Sequence, residues 1–114
     1  MVAALLNDPF NFKGKELKLA FSTLGCPDWS FSQIVDFAKS HGYTGLELRG
    51  IQRQMDLLKC NEFSTEIKRK ETMALMKDKD IRFVDLGSSA NLHLLDAAES
   101  KKNLDEAKSF IDLA

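Results

Sequence analysis

The sequence predicts an α/β fold built as a parallel βαβαβα arc, and two observations predict it. Three short apolar segments, 17–21, 45–49 and 81–86, each end in turn-forming residues. A stretch with helical periodicity follows each of them, so strands and helices alternate along the chain. That alternation makes the sheet parallel, with right-handed crossovers from strand to strand.

The first sixteen residues read as an extended leader. Pro9 holds Asp8 in extended geometry, and Gly14, between Lys13 and Lys15, interrupts any helix. Leu17-Lys18-Leu19-Ala20-Phe21 alternates as a first strand and runs into the turn-rich Ser22-Thr23-Leu24-Gly25-Cys26-Pro27-Asp28. Ser30 opens a helix with Gln33 three residues on, a capping box in which each side chain satisfies a free backbone N–H. Phe31, Ile34, Val35 and Ala38 form one apolar stripe, and Gly42 supplies the left-handed residue that ends the helix. Gly45-Leu46-Glu47-Leu48-Arg49 is the second strand, stopped at Gly50, and 51–63 is irregular or short-helical. A second helix starts near Ser64 or Thr65, where Glu66 suits the positive end of the helix dipole. Ile67, Ala74 and Leu75 mark its buried side, Met73 and Met76 widen that side, and 77–80 is a solvated exit. Ile81-Arg82-Phe83-Val84-Asp85-Leu86 is the third strand, closing on Gly87-Ser88-Ser89. A loop through Asn91 and His93 leads to a third helix, expected from about Asn103 to Ala114. Asn103 and Glu106 form its cap, and Leu104, Ala107, Ile111 and Ala114 its inward period. The chain stops inside that pattern, with no glycine cap and no basic last turn.

Composition narrows the function classes. Of 114 residues, 44% are apolar and 29% charged, the balance of a folded domain and not of a disordered chain. Sixteen Lys and Arg against seventeen Asp and Glu leave a net charge of −1. That removes the electrostatic footprint of a general nucleic-acid binder or a polybasic membrane binder. No apolar run approaches the ~20 residues of a membrane span. Val2–Leu6 has no Lys or Arg before it and is too short for a signal peptide. Cys26 and Cys60 make neither a disulfide framework nor a four-ligand zinc pattern, so the expected compartment is the reducing cytoplasm.

The run Leu19-Ala20-Phe21-Ser22-Thr23-Leu24-Gly25-Cys26-Pro27, followed by a helix and then Gly42-Tyr43-Thr44-Gly45-Leu46-Glu47-Leu48-Arg49, resembles the start of the sugar phosphate isomerase/epimerase family. These are xylose isomerase-like TIM barrels, and they include inosose dehydratases, hydroxypyruvate isomerases and ketose 3-epimerases, with endonuclease IV a more distant relative. Asn103-Leu104-Asp105-Glu106-Ala107-Lys108 also resembles the family's third helix. The similarity spans about residues 17–114 and implies the first three units of a (β/α)8 TIM barrel. Such a barrel needs roughly 200 residues or more to close. The chain is therefore expected to be the truncated N-terminal portion of a longer protein; the alternative is that three units persist alone through self-association.

In parallel α/β proteins functional groups gather where strands end. If Leu46 and Leu48 face the helices, Glu47 points the other way, into the lumen of a barrel. There it either hydrogen-bonds a sugar hydroxyl or pairs with an arginine such as Arg82, because an unpaired buried charge costs several kcal/mol. Arg49 carries a planar fork suited to carboxylate or phosphate oxygens; it either anchors an acidic substrate or pairs with Glu47 or a loop carboxylate. Trp29 either walls the apolar side of a sugar or packs at the start of the helix. Ser88, beside Ser89, offers a hydroxyl and backbone donors, and Asn91 and His93 complete the candidate substrate-binding set. His93 has Asp96 three residues on but no second His, so it is either a loop side chain or an acid–base group. His41 sits where it favours a helix C-terminus. Neither cysteine has a histidine at motif spacing, and Cys60 reads as a small hydrophobe.

The resemblance implies a divalent metal (Mn, Mg, Zn or Co) held by two glutamates, an aspartate and a histidine, the glutamates flanking the substrate as acid and base. Those ligands come from later strands, and none is carried over to this chain. The expected function is thus that of one part of a protein acting on a small sugar, polyol or hydroxy acid by metal-assisted proton transfer, inactive as this segment alone. Two rivals stand beside it: a non-catalytic module that forms a homo-oligomer through open sheet edges, and a segment of an endonuclease IV-like repair barrel.

Overall fold

Alternating strand and helix formers produce the order β1 (Ala20–Ser22), α1 (Phe31–Ser40), β2 (Gly45–Leu48), α2 (Glu66–Asp78), β3 (Arg82–Leu86) and α3 (Ala97–Leu113). These are the elements of a computed structural model that describes residues 17–114; the expected leader lies outside the described residues. The strands form one sheet in the order β1-β2-β3, and both pairings are parallel. The chain is therefore an α/β protein with a three-stranded parallel sheet and helices.

Local chemistry sets most boundaries. Ser30 Oγ accepts from the Gln33 N–H while Gln33 Oε1 accepts from the Ser30 N–H, so the capping box forms and α1 begins at Phe31. Its stripe of Phe31, Ile34, Val35 and Ala38 is buried, and Gly42 takes a φ of +75° after the helix ends. Thr65 caps α2 through the Lys68 N–H. Between β2 and α2 the backbone turns tightly at Ile51–Gln54 and makes a short 3-10 turn at Leu57–Lys59.

One apolar core joins the elements. Leu46 and Leu48 are fully buried between α1 and the remaining core residues, which include Leu57, Phe63, Met76, Ile81 and Phe110. Phe83 and Leu86 of β3 pack against the same core. Strict alternation cannot place residues three apart on one face of a strand. A β-bulge resolves this. Leu46 pairs with Phe83 and Glu47 with Asp85, so Val84 is the extra residue on β3. The bulge turns both Phe83 and Leu86 inward and moves Asp85 into register with Glu47.

Four expectations are corrected. β1 begins at Ala20, not Leu17, because the Leu19 carbonyl already accepts from Thr44 and Gly45 at the lower end of β2; Leu17 is 77% exposed. On α2, Met76 is buried and Leu75 packs on the core, but Ile67, Met73 and Ala74 are exposed. The helix is turned by its neighbour: Thr72 Oγ1 donates to the Glu62 carbonyl (2.9 Å) and Arg69 Nε to the Phe63 carbonyl (2.8 Å), which points Thr72 inward. α3 begins at Ala97, not near Asn103, because Asp96 accepts from the N–H groups of Ala98 and Glu99. Its buried residues are Asn103 and Phe110, seven apart, whereas Leu104 and Ile111 are 45% and 72% exposed.

Candidate functional site

The C-terminal ends of the three strands lie side by side, and a chain of hydrogen bonds links the loops that leave them. Thr23, just after β1, is 2% exposed. Its hydroxyl donates to the Gly50 carbonyl (2.8 Å) and accepts from the Arg49 N–H (2.9 Å), joining the loop after β1 to the end of β2. Gly50 takes a φ of +133°, open to glycine and strained for other residues, and this turns its carbonyl toward Thr23. The Gly87 N–H donates to the Leu48 carbonyl (2.9 Å), extending the ladder one residue past β3.

Arg49 crosses from β2 to the β3 loop. Its Nη1 donates to the Gly87 carbonyl (3.4 Å) and to Ser89 Oγ (3.3 Å), and its Nη2 to Ser89 Oγ (3.3 Å). Arg49 is half-buried, and its side chain lies over Gly87, where a Cβ would run into Arg49 Cδ. Of the two partners expected for Arg49 within the protein, neither is found: it meets no carboxylate among the described residues and bonds to neutral oxygens instead.

Glu47 stands on the face opposite Leu46 and Leu48, as the alternation predicts, and is half-buried. Its β1 neighbour in register is Ser22 and its β3 neighbour is Asp85. Among the described residues its carboxylate makes no ion pair, so the salt bridge to Arg82 weighed as one alternative is not formed. Gly45, two residues earlier on the same face, is packed from both sides: a Cβ there would stand 2.7 Å from Val84 Cγ1 and 2.9 Å from Ala20 Cβ.

The β3–α3 loop is held by α3. Ser89 N–H donates to Glu106 Oε1 (2.8 Å) and Asn91 N–H to Asn103 Oδ1 (2.6 Å), while Asn103 Nδ2 donates to the Glu99 carbonyl. Ser88 Oγ accepts from the Ala90 N–H, and the Asn91 side chain donates to the Ser89 carbonyl. Asn103 and Glu106, expected to cap the helix, are instead mid-helix residues three apart that anchor the loop. Their spacing puts them on one helix face, but nothing local tells a loop anchor from a cap.

The remaining candidates stand apart. The Trp29 ring packs edge-on to Phe37 of α1 (centroids 5.2 Å apart) and adjoins the core. His93 is exposed and makes no hydrogen bond among the described residues, and the carboxylate of Asp96 is committed to the α3 N-cap. His41 closes α1, with Nδ1 at 3.0 Å from the Phe37 carbonyl and its ring stacked on Phe37. Cys26 and Cys60 are buried free thiols, and burial pushes both above the ordinary thiol pKa, which disfavours the reactive thiolate. At the outer rim, hydrogen bonding to the Arg53 guanidinium holds the Asp28 carboxyl below the usual carboxylate range.

Among the described residues no three His, Cys, Asp or Glu side chains are placed to hold a metal ion. Nor is any helix among them long and apolar enough to cross a membrane. What the strand ends offer chemically is a cationic fork, a carboxylate two residues earlier on the same strand and a rim of hydroxyl and amide groups. Compared with known proteins, the chain matches no family model, no curated protein and no solved structure.

Proposed function

We propose that the chain is the N-terminal part of a sugar phosphate isomerase/epimerase-like TIM barrel acting on a small sugar, polyol or hydroxy acid. The observation that carries this reading is the juxtaposition of Arg49 and Glu47 at the C-terminal end of a parallel sheet, the end at which such folds bind their substrates. The residue pattern around Ser22–Pro27 and Gly42–Arg49 supports it independently.

In this reading the chain supplies one wall of the pocket. Arg49 orients the substrate through the donors left free by its neutral contacts, and Glu47 accepts a hydrogen bond from a hydroxyl. Ser88 and Asn91 line the rim, with His93 further out on the loop and Trp29 behind α1. The divalent metal that the resemblance implies does not fit the described residues, which bring no three ligands together. The acid–base groups that the resemblance implies come from later strands, so in this reading the chain alone binds without turnover.

Titration of the 114-residue chain in D2O with a panel of ketoses, polyols and hydroxy acids, with and without Mn²⁺, tests this. Amide shifts at Glu47, Arg49, Ser88 and Asn91 without deuterium uptake by the ligand are expected. Robust exchange refutes the claim of incapacity, and failure of every compound to shift these amides refutes the assignment of the wall.

A second reading, a self-associating module, is favoured by a different observation. Ile67, Met73, Leu104 and Ile111 present large apolar side chains to solvent. A monodisperse dimer by light scattering supports it, and a monomer at high concentration removes it.

A further inference from the structure

We infer that Arg49 is a preformed anchor for an oxyanion, so that the compound bound at the strand ends carries a carboxylate or phosphate and is not a neutral sugar or polyol. This rests on the reading that the strand ends are the substrate face, and it narrows the substrate class.

Three features carry the inference. First, Arg49 forms no ion pair among the described residues. Six of the described Lys and Arg side chains pair with carboxylates, Arg53 with Asp28 and Lys101 with Asp105 among them, all with exposed or partly exposed partners, where such pairs contribute little. Arg49, half-buried, meets none among the described residues. Second, its hydrogen bonds are the kind an anion displaces. They run to a carbonyl and a hydroxyl at 3.3–3.4 Å, long beside the ~2.7–2.9 Å of a guanidinium–carboxylate bond. Nε and one hydrogen on Nη2 have no protein acceptor among the described residues, which leaves one edge of the fork available for two-point contact with an oxyanion.

Third, the side chain is seated on the loop after β3. Thr23 ties the Arg49 backbone, and the absence of a Cβ at Gly87 provides the floor on which Cδ and Nε rest. Gly87 does not need glycine for its backbone conformation, since it is not among the positive-φ residues. Its lack of a side chain serves the arginine, and it acts as a positioning residue. Three carboxylates lie in the neighbourhood: Glu47 two residues earlier, Asp85 in register with Glu47, and Glu106 behind the Ser89 N–H. None forms an ion pair with Arg49, so the fork stays uncommitted, and their own oxygens suit hydroxyl donors on the part of the ligand away from its anionic end.

The test is a ¹⁵N titration of the 114-residue chain with inorganic phosphate, with acetate and with glycerol, following the Arg49 Nε–H and the amides of Gly87 and Ser89. Saturable shifts with phosphate or acetate, weakened about tenfold or more in Arg49→Gln, are expected, the scale of one lost charge-assisted hydrogen bond. Arg49→Lys keeps the charge but loses the fork and is expected to weaken binding as well. Gly87→Ala keeps the guanidinium and moves it, so it is expected to weaken binding with the fold retained; it serves where Arg49→Gln does not fold. Arg53→Gln, remote from the fork, is expected to change nothing. Saturation by phosphate alone assigns a phosphorylated ligand, and saturation by acetate alone a carboxylic acid. Equal responses in wild type and Arg49→Gln overturn the inference. A response to glycerol without one to either anion overturns it too, while leaving the strand-end pocket standing. Silence with all three overturns both.

Discussion

Replacing Thr23 by valine keeps the shape of the side chain and removes its hydroxyl, which makes it a clean probe of the junction beneath the site. The residue is 2% exposed and its oxygen serves two partners at once, the Gly50 carbonyl at 2.8 Å and the Arg49 N–H at 2.9 Å. Thr23→Val leaves both backbone groups without that partner, the Gly50 carbonyl buried and the Arg49 N–H partly so. At about 1–3 kcal/mol for a buried group left unsatisfied, and about 1 kcal/mol for the part-buried one, the expected loss is about 2–4 kcal/mol. For a small domain with a total stability of about 5–15 kcal/mol, that is a large fraction. In urea, with a slope of about 1.5 kcal/mol/M, the midpoint is expected to fall by about 1.3–2.7 M without change in slope. Thr23→Ser keeps the hydroxyl and loses a methyl, so it is expected to cost about 1 kcal/mol. Circular dichroism with urea on the three proteins decides the matter. If valine costs under about 1 kcal/mol, or serine costs as much as valine, the hydroxyl does not tie the two loops as argued.

Gly45→Ala forces a methyl to within 2.7 Å of Val84 Cγ1 and 2.9 Å of Ala20 Cβ, an overpacking expected to cost about 1–3 kcal/mol. An unchanged melting temperature would show that the open face of the sheet has more room than described. On α3, Phe110→Ala is expected to cost about 3–5 kcal/mol, and Ile111→Ala, at a 72% exposed position, within about 0.5 kcal/mol. Equal losses in a urea series would place the wrong helix face inward. The Asp28 carboxyl is held below its ordinary pKa by Arg53. A lowered folded-state value means the pair adds its stability above the unfolded pKa of Asp28 and loses it as pH falls through the folded one. A carboxylate-detected NMR titration is expected to show Asp28 moving up toward the ordinary value in Arg53→Gln, and no movement would dismiss the ion pair.

The features legible in the sequence are those decided within a few residues of chain. The capping box of Ser30 and Gln33, the stripe of α1, the left-handed Gly42 and the turn at Gly50 need no partner from elsewhere, so residue type and spacing sufficed to predict them. The alternation of strand and helix likewise anticipated a parallel sheet, because a strand that returns through a helix comes back in the same direction. The orientation of Glu47 followed from its neighbours Leu46 and Leu48, since alternate residues of a strand oppose each other.

Packing decided the rest. The apolar pattern of α2 and α3 leaves the choice of inward face open to within one residue, and the loop ahead of α2, through Thr72 and Arg69, selected the polar-containing side. The inward spacing of Phe83 and Leu86 required a bulge at Val84, and only the pairing with β2 shows where the extra residue falls. Asn103 and Glu106 carry the signature of a cap and act as loop anchors, because Asp96 had already started the helix. Arg49 was identifiable as a guanidinium at a strand end, but its neutral partners lie 38 and 40 residues away. Short-range hydrogen bonding and periodicity are written along the chain; which surfaces meet, and which charges are left uncompensated, is settled where distant segments compete for the same space.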